Sequence, residues 1–286
     1  MKFRFIQEHV GRFRIAVMCA VLGVSRSGYY AWRKRSPSRL ALANQELLGQ
    51  IRAVFDESRQ TYGYRRVHAR LVKKVHCSRN RVARLMHLEG LRSRRRPVFR
   101  ATTQSRHNRP TAPNILARRF SATSLNQKWV SDITYIPTDE GWLYLAAIVD
   151  LCSRTVVGWA MESRLYDWLT IKALKMALGR RNPPPGLVHH SDRGSQYASN
   201  DYLSLLDAVK ATVSMSRTGD AFDNAPMESF FATLKTELVH HRRYRTRKEA
   251  KTDIFEFIEI FYNRQRIHTA LGYQTPFEYE LSFGFT

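Results

Sequence analysis

Three runs decide the fold: KWVSDITYIPT (128–138), WLYLAAIVDL (142–151) and SRTVVGWAM (153–161). Each is rich in β-branched and aromatic residues, and DEG (139–141) and CSR (152–154) punctuate them as turns. They therefore read as three consecutive antiparallel strands. Downstream the period changes. Tyr166–Leu178 reads as a helix, GLVHHSD (186–192) as a short strand, Tyr202–Val209 as a helix and Ala211–Met215 as a strand. Pro226–Leu238 and Arg247–Tyr262 read as two further helices. A strand meander followed by alternating helices and short strands makes a mixed α/β domain.

That element order resembles the ribonuclease-H-like fold, so the position of its acids matters. Asp132 falls inside the first strand among Trp129, Val130, Ile133 and Tyr135. An acid in a buried strand is costly unless it is paired or binds a cation. Asp192 follows the short Leu187–His190 strand, and Glu228 lies in the first turn of a helix opened by Asn224 and Pro226. Three carboxylates at one sheet edge would give a hard, all-oxygen site suited to Mg²⁺ or Mn²⁺. Each acid also has a plain structural alternative: a backbone-amide acceptor, a turn residue, or a charge favoured at a helix N-terminus. Asp150 and Asp223 read in that plainer way, as a strand-end turn residue and an N-cap candidate.

Working outward to the N-terminus, the charge is lopsided. Residues 1–120 hold 28 Lys/Arg against 5 Asp/Glu, while residues 121–286 hold 19 of each, so the whole net charge of +23 lies in the front. A basic front joined to a neutral back suggests one part that grips a polyanion and another with a different task. In FRIAVMCAVLGVSRSGYYAWRK (13–34), Ile15, Val17, Met18, Val21 and Leu22 suit a short helix broken at Gly23. Ser25 then caps a second helix, Arg26–Lys34. This is a helix-turn-helix layout with Arg26 and Ser27 leading the recognition helix. A second unit follows: a helix over Asn44–Asp56, TYGYRR with Arg65 and Arg66, a helix over Val67–Val75, and Arg79–Leu88 capped by Ser78 and stopped at Gly90. Arg79, Arg81 and Arg84 are expected to face outward onto phosphates. His68, His76 and His87 read as surface or packing residues. Between Gly90 and Ser131 there are ten Lys/Arg and no acid. The expected organisation is a helix-turn-helix-like module (1–43), a second one (44–91), a basic linker (92–120) and the α/β core (121–286).

Composition removes other classes. With 43% hydrophobic and 12% aromatic residues the chain is globular. Cys19, Cys77 and Cys152 are too few and too scattered for a disulfide framework or a thiolate zinc site, and a reducing cytosol suits them. No uncharged apolar stretch approaches the ~18–20 residues of a membrane span. The basic residues before Ile15–Ser25 mimic a signal peptide, but nothing downstream is secretory in character.

The blocks WVSDITYI, GWLYLAAIVDLCSRTVVGWAM, HHSDRGSQY, RTGDAFDNAPMESFFATLKTE and YNRQRIHTALGYQTPFEY, with YGYRRV nearer the front, carry a family likeness. The chain resembles the second-frame (orfB) transposases of the IS-three insertion-sequence family, within the DDE transposase and retroviral integrase superfamily. The resemblance implies that Asp132, Asp192 and Glu228 are catalytic, metal-binding acids that hold two ions, with 35 residues between the last two. It implies that Lys235, seven residues beyond Glu228 and so on the same helix face, holds the DNA end. It implies double-stranded DNA as partner, cleavage at element ends, transfer of the freed 3′-hydroxyl, self-association on DNA, an upstream-frame (orfA) protein or fusion, and work at the bacterial nucleoid. Lys210 and Ala211 depart from the Gly-Ile turn common in the family. Three rivals compete with this reading. One is a DNA-binding regulator with an idle core, and another is a nuclease of the same fold that cuts without joining. The third is a tyrosine recombinase using His240-His241-Arg242-Arg243, for which no tyrosine is suitably placed.

Overall fold

The computed structural model describes residues 1–93, 111–217 and 220–285. They fall into two compact units, Met1–Ala53 and Val54–Thr286. Among the described residues no helix is long and apolar enough to cross a membrane.

The first unit holds α1 (Lys2–Glu8), α2 (Ile15–Val21), α3 (Arg26–Lys34) and the start of α4 (Arg39–Glu57). Gly23 makes the turn with φ 62°, a conformation that costs glycine little. The Ser25 hydroxyl accepts the Gly28 N–H at 3.0 Å and so caps α3. Ile6, Met18, Cys19 and Tyr29 form the core, with Phe3 and Trp32 packed against it. Of the apolar positions on α2, Val17 and Val21 face solvent, because a two-turn helix buries one narrow stripe. Helix α4 begins five residues before the expected Asn44, since the Ser38 hydroxyl accepts the Ala41 N–H and starts it early.

In the second unit α5 (Tyr64–Leu71) packs on α6 (Arg79–Leu88), and the Ser78 hydroxyl accepts the Arg81 N–H. The five-stranded sheet then runs in the order β3-β2-β1-β4-β5. Its strands are β1 (Lys128–Ile136), β2 (Leu143–Asp150), β3 (Val156–Glu162), β4 (Val188–Ser191) and β5 (Thr212–Met215). The meander β1-β2-β3 is antiparallel, and β4 and β5 extend it in parallel after the crossovers α7 (Asp167–Arg181) and α8 (Asn200–Ala208). A 3₁₀ turn (Ala221–Asn224) leads into α9 (Ala225–Glu237), followed by α10 (Arg247–Glu256) and α11 (Pro276–Leu281). The expected continuous helix Arg247–Tyr262 changes to π-helical winding at Phe257 and runs on to Gln265. That shift aims Asn263 at β3, where its amide oxygen accepts the Val156 N–H and its amide N–H donates to the Val156 carbonyl.

Central position explains the apolar runs. One sheet face, with Val130, Ile136, Leu145 and Val149, packs on Met227, Phe230, Phe231 and Leu234 of α9. The other, with Trp129, Ala146 and Ile148, packs on Leu169, Ala173, Leu174 and Ala177 of α7. Strands covered on both faces lose the alternation of a half-exposed strand. Asp150 ends β2 in the expected turn role, accepting N–H bonds from Cys152 and Ser153, and also from Asn126 and the Trp129 indole.

One expectation is corrected. Residues 111–120 belong to the core, whereas the sequence suggested a basic linker. The N–H groups of Ile115 and Leu116 both donate to the Ser214 hydroxyl on β5, and Leu116 is fully buried. An exposed edge strand gains from such a cover. Most of the remaining stretch, including Arg94–Arg96, lies outside the described residues.

Two backbone positions give opposite predictions. A Cβ on Gly158 would lie 2.3 Å from the Ala173 carbonyl oxygen and 2.7 Å from Ala177 Cβ. Gly158→Ala is therefore expected to cost about 2 kcal/mol or more. Lys210, at the turn before β5, adopts φ 54°. Lys210→Gly is expected to stabilise by roughly 0.5 kcal/mol, the left-handed strain relieved minus the added chain entropy. Urea unfolding of the two variants checks both signs.

Candidate active site

The parallel pairing of β1 with β4 does the first part of the assembly. Lys128, Trp129 and Val130 lie beside Val188, His189 and His190. Two residues further along each chain come Asp132 and Asp192. The short β4 is held straight by buried histidines: His190 bridges the hydroxyls of Ser214 and Ser216, and His189 meets the Tyr202 hydroxyl at 3.0 Å. Burial lowers the pKa of both, His189 to about 3 and His190 to about 4, so both serve as neutral packing groups. Beyond the strand the chain turns sharply, and the Asp192 carboxylate accepts the Gly194 N–H at 2.9 Å.

Helix α9 supplies the second part. Its apolar stripe is buried on the sheet, which leaves Glu228 on the exposed side and Lys235 half-buried two turns later. Charges from the turn after β4 and from α9 then act on Asp132 of β1. The Asp132 carboxyl is pushed well above the ordinary carboxylate range, first by desolvation and then by Asp192, with Glu228 adding to the rise. A hydrogen bond from the Ile133 N–H and the charge of Lys235 pull it down. Burial raises the Glu228 pKa. Burial likewise lowers that of Lys235, with Asp132 opposing the change. Among the described residues no three carboxylate, imidazole or thiol groups form a ready-made metal cage. Asp132 feels the repulsion of both other acids, and the three offer oxygen donors alone, the type a hard divalent cation takes.

Sequence reasoning missed the support beneath them. Asp223, expected as an N-cap, is instead fully buried inside the 3₁₀ turn before α9, and Asn224 takes the cap position. The Asp223 carboxylate accepts bonds from the Arg217 backbone and guanidinium, the Arg118 guanidinium and the Asn114 amide. Next to it the Asn224 amide donates to the Ser131 carbonyl at 3.0 Å. The residue before Asp132 is thereby tied to the residue four before Glu228. No local signal marks this role, because the partners Arg118 and Asn114 lie over a hundred residues away.

The candidate DNA contacts divide. Arg26 and Ser27 are exposed at the start of α3, and Arg65, Arg79 and Arg84 are exposed in the second module. Arg66 is half-buried, with its guanidinium 5.5 Å from the Tyr62 ring and 3.8 Å from Glu237. Arg81, expected to face outward, is half-buried because it flanks the inward stripe of Val82 and Leu85 on α6. The His68 ring meets the Cys77 carbonyl in a packing role.

The half-buried Asp132 and the buried Asp223 respond oppositely to neutralisation. Asp132→Asn removes a desolvated, repelled charge and is expected to raise Tm in chelator by about 2–4 °C. Hydrogen bonds from Arg217, then from Arg118, hold the Asp223 pKa well below the usual range. Its stabilisation is complete above the unfolded value near 3.9 and is lost as pH falls toward the depressed folded value. Asp223→Asn should therefore lower Tm at pH 7, and the deficit should shrink below about pH 4. Thermal scans across pH check both, and a fall in both variants at pH 7 would contradict the assignment.

The chain was also compared with known proteins. The integrase core domain model matches residues 122–221 and, in a second part, 228–282, and an HTH-like domain model matches 43–98. The chain is 48% identical over 260 residues to the insertion element IS600 uncharacterized 31 kDa protein of Shigella sonnei, covering 91% of this chain and 96% of that one. It is 39% identical over 286 residues to transposase InsF for insertion sequence IS3A of Escherichia coli (strain K12), covering 98% of each. Among solved structures it is similar to the HTLV-2 integrase catalytic core domain in complex with magnesium, with 15% identity and a TM-score of 0.43 over 55% of this chain and 98% of that one. With relatives this similar over nearly their full length, the chain belongs to the IS3-type insertion-sequence transposases, polynucleotidyl transferases built on an integrase core.

Proposed function

We propose that Asp132, Asp192 and Glu228 are the catalytic acids of this transposase and that they hold two divalent ions, Mg²⁺ with Mn²⁺ as substitute. The electrostatic convergence of β1, the turn after β4, and α9 on Asp132 carries this reading. Such ions, when bound, activate the attacking oxygen and stabilise the leaving oxygen of an in-line displacement at phosphorus. Asp132, which feels the charge of both other acids, would hold the ions together with them. Lys235, on the Glu228 face of α9 and within electrostatic reach of Asp132, holds a phosphate of the DNA end beside the acids.

The chemistry balances without a covalent protein intermediate. Water attacks a phosphodiester at the element's end, the P–O bond to the 3′ oxygen breaks, and a 3′-hydroxyl is freed. That hydroxyl then attacks a target phosphodiester and displaces its 3′ oxygen, so one phosphodiester forms for the one broken. Residues 1–43 and 44–91 grip the double-stranded ends, with Arg26, Ser27, Arg65, Arg79 and Arg84 on the backbone, while 121–286 performs the transfer. Arg66 anchors its module to the core. Several copies assemble on DNA at the nucleoid in the cytoplasm, with an upstream-frame protein or fusion completing end recognition.

Strand transfer on labelled end DNA tests the assignment. Asp132→Asn, Asp192→Asn and Glu228→Gln should each lose more than about a hundredfold of Mg²⁺-dependent joining. DNA affinity should stay within about twofold, because the binding charge lies in the front modules. Cutting without joining by the unaltered chain would make it a nuclease, and loss of DNA binding in all three variants would end the proposed division of labour.

A further inference from the structure

The hairpin joining β1 to β2 leaves two large aromatic side chains at the surface, Tyr135 at 41% and Trp142 at 49% exposure. Their rings meet edge to face, with centroids 4.9 Å apart. Paired rings left to solvent beside a candidate site mark a surface that is covered in a working complex. The pair borders the acids: Lys235 Nζ lies 5.0 Å from the Tyr135 ring centroid, and the Lys235 charge is felt at Asp132.

A basic segment is tied to the same hairpin. The hairpin tip is fastened to the segment HHRRYRTRK (240–248) that follows α9. The Asp139 N–H donates to the Tyr244 carbonyl at 2.9 Å, and Arg247 donates to the carbonyls of Glu140 and Trp142. Both acids of the tip are engaged there, Asp139 with Arg243 at 3.2 Å and the Glu140 carboxylate with the Arg247 N–H. Arg245 remains exposed, and the Arg243 side chain is 86% exposed despite its partner. An aromatic pair with Lys235 at one ring and a basic segment tied to the same hairpin suits an unstacked nucleobase whose flanking phosphates meet the cations. Paired bases in a duplex hide their faces and offer groove edges only, so the ligand is a single strand.

We propose that Tyr135 and Trp142 form a stacking site for an unpaired base of the DNA end, with Lys235, Arg243 and Arg245 on the flanking phosphates. The proposal rests on the transposase reading, since freeing a strand at the scissile bond brings unpaired nucleotides to this edge of the core. It also gives the basic HHRRYRTRK segment a role in catalytic-core binding that is separate from the front modules.

Fluorescence anisotropy of the full chain with a labelled dT oligomer of about 12 nucleotides, beside a closed hairpin duplex, tests it. Trp142→Ala and Tyr135→Ala should weaken oligomer binding about five- to a hundredfold, the range of one stacked base. Trp142→Phe should retain most of the affinity, and duplex binding should stay unchanged. Absent binding of the oligomer by the unaltered chain, equal weakening of oligomer and duplex, or unchanged oligomer binding in both alanine variants would each overturn the site. So would a change confined to the oligomeric state, which would make the rings a contact between copies. A parallel joining assay keeps the two readings apart: no joined product with stacking intact would fault the reaction assigned above, and normal joining with no effect of either ring would fault the stacking site alone.

Discussion

The fold is organised around a charge placed where charge is least welcome. Asp132 stands on the central strand of a five-stranded sheet, with apolar layers on both faces and another acid extending from the neighbouring strand. Desolvation and two like charges act against its ionised form together. The Ile133 N–H and Lys235 offset only part of that cost, and a hydrophobic residue there would be better tolerated. Such a local conflict between stability and sequence marks a place kept for chemistry.

Holding repelling groups together requires rigid elements that do not themselves titrate. The buried imidazoles of His189 and His190 bind hydroxyls, so β4 stays fixed across the working pH range. Asp223 performs the complementary task, since its charge is fully matched by Arg217, Arg118 and Asn114 and therefore stays ionised. One acid of this core is thus strained and its near neighbour satisfied, and the difference lies entirely in the partners each is given. Asn224 converts that stable anchor into a fixed distance between β1 and α9.

Much of this was legible in the sequence, for identifiable reasons. The strand meander, both capped helices at Ser25 and Ser78, and the α9 helix rest on local signals: turn residues, caps and period. Glu228 and Lys235 share a face by simple helix arithmetic. The roles of Asp223, Arg66 and residues 111–120 were not legible, because each depends on a partner far along the chain: Arg118, Glu237 and Ser214. A basic residue in a basic stretch reads as surface until its partner is known. Likewise the π-helical shift at Phe257 leaves no mark in composition. It shows only in the aim of Asn263 at the β3 backbone.

Helix α9 connects these features. Its first turn carries Glu228, its last turn carries Lys235, and its end carries Glu237, which accepts two bonds at 2.8 Å from the buried Arg266 guanidinium. Arg66 of α5 reaches the same carboxylate at 3.8 Å, and the Tyr62 hydroxyl accepts the Ile267 N–H at 2.7 Å beside it. A single rigid rod therefore meets the second helical module at one end and the candidate acids at the other. Glu237 thus ties α5 and the Arg266 segment to the helix that carries Lys235 and Glu228.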